Sequence, residues 1–171
     1  MKINIKMNYK NQAFFSLLFF SFLINGLQVF ANANDQVILS LKTATMQIEQ
    51  AEQIFNSGQI KEAQVIVINL RPALSEMTEL HAQLFEALKD DKAATATADI
   101  EKRQTIEFAK LRDRANYLAG VLSIKQNNYR EAVKHLVLVV QSQRTTGLGE
   151  KAYKALREIG FAPKLSLLDQ P

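Results

Sequence analysis

The stretch Ala119-Gly120-Val121-Leu122-Ser123-Ile124-Lys125-Gln126-Asn127-Asn128-Tyr129-Arg130-Glu131-Ala132 decides how this chain folds. Its small residues, Gly120 and Ala132, stand twelve positions apart on either side of Asn127-Asn128. A small residue in the middle of one helix and another early in the next let two antiparallel helices pack closely. Asparagine tolerates the left-handed backbone that a tight helix–helix turn requires. Tyr129 then stands where a side chain fills the space at the start of the second helix. The stretch therefore predicts a helical hairpin.

A second stretch has the same layout. Ala51 and Ala63 are again twelve apart, and Asn56-Ser57-Gly58-Gln59-Ile60 lies between them, with Gly58 as the residue suited to a left-handed turn. Ala63 and Ala132 are separated by 69 residues, close to twice a repeat of about 34 residues. An apolar run follows each small residue: Val65-Ile66-Val67-Ile68 in one copy and Leu136-Val137-Leu138-Val139-Val140 in the other. Both are rich in β-branched residues and compatible with buried strands. Each continues a segment opened by a turn and an alanine, so we read both as helix.

Working outward, the rest of the chain is also helical in character. No proline and a single glycine, Gly120, occur between Ala73 and Thr146, and strong helix formers dominate. Breakers cluster at Ser57-Gly58, Arg71-Pro72, Thr146-Gly147-Leu148-Gly149 and Gly160-Phe161-Ala162-Pro163. Apolar residues three and four apart give six expected helices: 35–56, 60–70, a third beginning at Pro72 and running to about 88, 97–125, 129–143 and 149–159. Residues 90–96 read as a loop or frayed helix start, and 164–171 as an irregular tail. The expected fold class is all-α, with antiparallel helical hairpins.

On Ala119-Gly120, Asn127-Asn128-Tyr129 and Ala132, the sequence resembles the tetratricopeptide repeat family. The earlier copy carries the resemblance through Gly58 and Ala63. Where that family has an aromatic residue four positions before the glycine, this chain has Asn116. The resemblance implies a short solenoid, with Gly58, Ala63, Gly120, Tyr129 and Ala132 as repeat-packing residues. Residues 73–110 are long enough for one intervening helix pair, and the last helix is suited to act as a cap. It further implies a concave groove, lined by the first helix of each pair, that takes a protein or peptide. On the better copy that face includes Arg114, Tyr117, Val121 and Lys125.

The N-terminus has a separate grammar. Lys2, Lys6 and Lys10 precede an apolar run, Ala13-Phe14-Phe15-Ser16-Leu17-Leu18-Phe19-Phe20-Ser21-Phe22-Leu23-Ile24, and no acidic residue occurs before Asp35. Asn25-Gly26 ends the run, and Ala31-Asn32-Ala33 offers small residues for a peptidase. This is the order of a secretory signal peptide. The run is shorter than the roughly 20 residues of a membrane-spanning helix. We expect residues 1–33 to be a cleavable signal, cut between Ala33 and Asn34 with Ala31 as the alternative, and 34–163 to be the working domain. The expected location is periplasmic or secreted, and the membrane is involved only if the signal is retained as an anchor.

Removing the leader changes the charge argument. The chain has 21 basic and 17 acidic residues, a formal net charge of +4. Without Lys2, Lys6 and Lys10 the balance is 18 to 17, which argues against a nucleic-acid partner. There is no cysteine and there are only two histidines, His81 and His135. Thiol chemistry is excluded, and neither histidine stands at a metalloprotease spacing. Glu131 and His135, four apart, suit a surface helix pair. Gly147-Leu148-Gly149 lacks the further glycines and preceding strand of a phosphate loop. No nucleophile elbow is present. No catalytic, cofactor or metal site is therefore expected.

Arg103, Lys110 and Arg114 share one helix face by their spacing. They read as a solvated face or as a basic docking stripe for an acidic protein segment or surface polymer. The functional expectation is an exported, non-catalytic adaptor for protein–protein interaction. The alternative is a self-associating helical bundle whose dimer contact uses Phe108, Leu111, Ala115 and Leu118.

Overall fold

The computed structural model describes residues 39–143 and 146–162. Among these residues the chain forms five helices and no strand: α1 (Leu41–Asn56), α2 (Ile60–Leu88), α3 (Thr95–Lys125), α4 (Tyr129–Ser142) and α5 (Gly147–Glu158). The leader, the Ala33–Asn34 junction and the tail from 163 lie outside the described residues. Val65–Ile68 lies within α2 and Leu136–Val140 within α4, so both β-branched runs are helical.

The count of five rather than six has one cause. The expected second and third helices are a single 29-residue helix with Pro72 inside it. Proline cannot donate to the carbonyl four residues back, and its ring crowds that carbonyl, at a cost of about 3 kcal/mol. Val67, Leu70 and Leu74 form an unbroken stripe across the proline, and each is 3% exposed or less. Burying each such side chain contributes about 1.5–3 kcal/mol, so packing on both sides of Pro72 outweighs the local penalty. Pro72 itself faces solvent.

The ends of the helices follow local chemistry. Ser40 caps α1, its hydroxyl accepting from the Thr43 amide at 3.1 Å. The helix therefore begins at Leu41 and not at the expected Asp35. Asn128 accepts from the Glu131 amide at the start of α4, and Thr146 from the Gly149 amide at the start of α5.

α1, α3 and α5 all finish in the same turn. Gly58, Asn127 and Gly160 have φ of 84°, 59° and 78°. In each turn the next amide reaches back five residues: Gln59 N to Ile54 O at 3.1 Å, Asn128 N to Ser123 O at 2.8 Å, and Phe161 N to Leu156 O at 2.9 Å. The left-handed residue itself closes the inner bond, to Phe55, Ile124 and Arg157 respectively. These are Schellman turns.

Consecutive helices pack against each other, α1 and α3 touch, and α3 and α5 touch; no Cα of α2 lies within 8 Å of one in α4. One apolar cluster joins α1, α2 and α3 through Ala44, Ile48, Ala51, Ala63, Val67, Leu70, Leu74, Phe108, Leu111 and Leu118. A second joins α4 and α5 through Leu136, Val139, Ala152 and Leu156, with Tyr117 and Ile124 reaching in from α3. α3 belongs to both.

The 69-residue offset acquires a structural meaning. Ala51 and Gly120 are both buried, as are the pairs Ala63 and Ala132, Val67 and Leu136, Leu70 and Val139. No separate helix pair stands between the two copies. Residues 73–110 form the far half of α2, the turn at 89–94 and the near half of α3, an extended hairpin.

Candidate functional site

α3 is the central helix, and its outward side is where the sequence places a partner-binding face. Arg103, Lys110, Arg114, Val121 and Lys125 follow one another at seven, four, seven and four residues. This spacing keeps them on one face. Arg114 does not point freely to solvent. It holds Glu52 of α1 in a two-pronged ion pair, Nε to Oε1 at 3.1 Å and Nη2 to Oε2 at 2.7 Å. Tyr117, three residues on, packs against the α4–α5 cluster. Burial, and secondarily the charge of Glu158, pushes its hydroxyl pKa above 10. Val121 is half-buried and Lys125 is exposed. Lys110 pairs with Glu107 at 2.7 Å on the surface. Arg114 thus ties α1 to α3 and Tyr117 joins α3 to the α4–α5 cluster, while Arg103, Lys110 and Lys125 are exposed on the same face of α3 and Val121 is half-buried there.

The repeat-packing residues divide in the same way. An added Cβ on Gly120 would stand 2.6 Å from Leu136 Cγ, so the glycine sets the approach of α3 and α4. Ala63 and Ala132 are fully buried. Gly58 supplies backbone freedom alone, with nothing within 4 Å of an added Cβ. Tyr129 does not fill the start of α4. It is half exposed, and its hydroxyl donates to Asn127 Oδ1 at 3.1 Å. In the first copy Ile60 does pack against the core.

Phe108, Leu111, Ala115 and Leu118, the dimer contact of the alternative reading, are at most 6% exposed and belong to the internal core. That face of α3 is consumed within the chain and cannot also bind a second copy.

The polar groups form two sites that the sequence did not mark. At the first, buried Asp113 accepts from the Arg112 guanidinium at 3.2 Å and from Gln143 Nε2 at 2.7 Å, tying α3 to the end of α4. Gly149 fits against the same turn, because an added Cβ would meet Gln143 O at 1.8 Å. At the second, Arg71 of α2 donates through Nε to buried Asn116 of α3 at 2.8 Å. The signal for both was a second buried face on α3. Asp113, Asn116 and Gly120 are spaced three and four apart, beside the apolar stripe, because this helix has neighbours on more than one side.

The histidines also take unexpected places. His81 Nδ1 and Glu101 Oε2 are 2.6 Å apart, and the ring stacks on Phe108 at 5.3 Å between centroids. This pair fastens the extended hairpin. Glu131 and His135 do not form the expected surface pair. Glu131 binds Lys134 at 2.6 Å instead. His135 Nδ1 is buried without a partner. Burial, then the nearby Arg71 charge, lowers the His135 pKa to about 4.

Among the described residues no three His, Cys, Asp or Glu side chains are grouped to hold a metal ion. No helix there is long and apolar enough to cross a membrane. A shallow depression of about 430 Å³ lies between Tyr129, Val133, Ile159 and Phe161. No family model, curated protein or solved structure matches this chain.

Proposed function

We propose that this protein is an exported, non-catalytic adaptor of tetratricopeptide-repeat-like build that holds a protein or peptide partner in the cell envelope. One observation carries the reading: α1, α3 and α5 end in the same Schellman turn and contact one another in series, while α2 and α4 do not. Stacked hairpins place every first helix along one side, and such arrays bind partners along that side. The candidate strip on α3 is Arg103, Lys110, Val121 and Lys125, on the same face as Arg114, which is held by Glu52 of α1. Export rests on the leader grammar of residues 1–33.

Arg114 and Tyr117 are poor probes of binding, because both hold neighbouring helices. Lys110→Glu combined with Lys125→Glu is the informative variant, since both side chains are exposed. Affinity capture from the native envelope, quantified by mass spectrometry, should lose the specific partner at least about tenfold, a change of roughly 1.4 kcal/mol. The unfolding midpoint in urea should stay unchanged. Unaltered capture would remove this strip as the binding face.

A further inference from the structure

The turn after α5 leads the chain past an apolar depression. Gly160 is left-handed, and the amides of Phe161 and Ala162 both reach back to Leu156 O, at 2.9 and 3.3 Å. The backbone is therefore held as far as Ala162, which packs against the α4–α5 cluster. Ile159 and Phe161 of this turn line a depression of about 430 Å³, together with Tyr129, Arg130, Val133 and Lys134 of α4. The chain that follows Ala162 thus begins one residue beyond the lining.

The lining is uncovered and carries charge of one sign. Tyr129 is 50% and Phe161 57% exposed. A lone apolar residue at a surface needs no explanation, but two aromatic rings exposed on one apolar depression do. The lining holds two cations and no carboxylate. Glu131, next to it on α4, bonds Lys134 at 2.6 Å, and the charge of Arg130 reaches it as well. Lys134 is thereby matched, whereas Arg130 is exposed and makes no ion pair among the described residues.

The chain continues as Pro163-Lys164-Leu165-Ser166-Leu167-Leu168-Asp169. Proline biases the residue before it toward extended backbone, and in an extended segment alternate residues share a side. Leu165, Leu167 and Asp169 fall on one such side: two aliphatic groups, then a carboxylate. Leu165 can reach about 10 Å from Ala162, and Asp169 about 25 Å. We propose that residues 163–169 dock in this depression of their own chain, with Leu165 and Leu167 on Tyr129, Val133 and Phe161, and Asp169 beside Arg130. The short connection puts the segment at an effective concentration in the millimolar range, so modest apolar contact suffices. The surface ion pair adds little affinity but sets the direction of the segment. Docked, it covers exposed apolar surface at the end of the α4–α5 pair, the task of a cap in a stacked array. The proposal does not use the α3 strip.

The test is NMR on the full chain, isotopically labelled at leucine methyls and aromatic rings. The expected result is nuclear Overhauser contacts from the Leu165 and Leu167 methyls to the Tyr129 and Phe161 rings, within one molecule. Leu165→Glu with Leu167→Glu should abolish these contacts and shift both ring signals, while Leu168→Glu should leave them in place. Arg130→Glu should lower the ratio of docked to undocked segment by about threefold, and Asp169→Lys in the same chain should restore it. The leucine variants lie outside the two apolar clusters, so they decide the matter whatever Arg130→Glu does to α4.

Absence of any contact from Leu165 or Leu167 to either ring would overturn the proposal. So would contacts found only between differently labelled molecules in a mixed sample, which would make a second copy the occupant. Ring signals that move equally in the Leu168→Glu and Leu165→Glu/Leu167→Glu chains would overturn the one-sided, extended docking.

Discussion

Gly120 and Gly149 both stand in close packing, and they bear it differently. Gly120 faces the Leu136 side chain, which is fully buried and has little room to yield. Overpacking of this kind costs about 1–3 kcal/mol, while alanine in a helix returns about 1 kcal/mol. Gly120→Ala should therefore lower the unfolding free energy in urea by about 1 kcal/mol net of that gain. Gly149 faces a backbone oxygen at 1.8 Å, which a rotamer change cannot clear. Gly149→Ala should cost more, about 2–4 kcal/mol. Equal losses at the two sites would show that the turn at 143–149 moves freely.

His135 belongs to the same scale. Its pKa falls from 6.5 to about 4 on folding, so the native state prefers the neutral ring. The associated stability is complete above the unfolded pKa of 6.5. It is lost as pH drops from 6.5 toward 4, because the unfolded chain takes up a proton that the folded chain refuses. The ring is only partly buried, so solvent screening reduces the effect to about 1 kcal/mol by pH 5. Urea titrations at pH 7 and pH 5 should give a smaller difference for His135→Gln than for the parent. The same difference in both would assign the acid sensitivity to carboxylates alone.

At the scale of the helix, Pro72 poses the sharpest question. It sits inside α2 with its ring toward solvent. Pro72→Ala restores an amide donor to the Ile68 carbonyl and should raise stability by about 1–2 kcal/mol after the entropy returned to the unfolded chain is subtracted. A fall would mean that the backbone geometry at Pro72 is needed to seat Leu74 and the extended hairpin.

The same residue marks where the sequence was readable and where it was not. Helices were legible wherever an apolar stripe and a turn agreed, as at Gly58 and at Asn127-Asn128. At Arg71-Pro72 the local rule and the stripe disagreed, and the stripe won because Val67, Leu70 and Leu74 pack together against its neighbours. The exposed members of the candidate face were legible from their spacing. The roles of Arg114, Tyr117 and Asn116 were not, because a period of 3.6 residues identifies faces without naming the helix each one meets.

Among the described residues the fold is organised around α3, which contributes to both apolar clusters and touches the four other described helices. α1 and α5 each have neighbours on one side only and do not contact one another. In stacked repeats, stability is close to a sum of unit and neighbour terms, so the ends open before the middle. In a closed bundle with one shared core, every helix opens near the global free energy. Native-state hydrogen exchange separates the two. Amides of α3 around Ala115 to Leu122 should exchange only through global unfolding, while those of α1 and α5 should open at free energies lower by about 1–3 kcal/mol. Breaking the Arg114–Glu52 clamp with Glu52→Gln should deepen the difference at α1 and leave α5 untouched. If α1, α3 and α5 exchange together, the chain behaves as one bundle, and the groove-binding reading loses its structural ground.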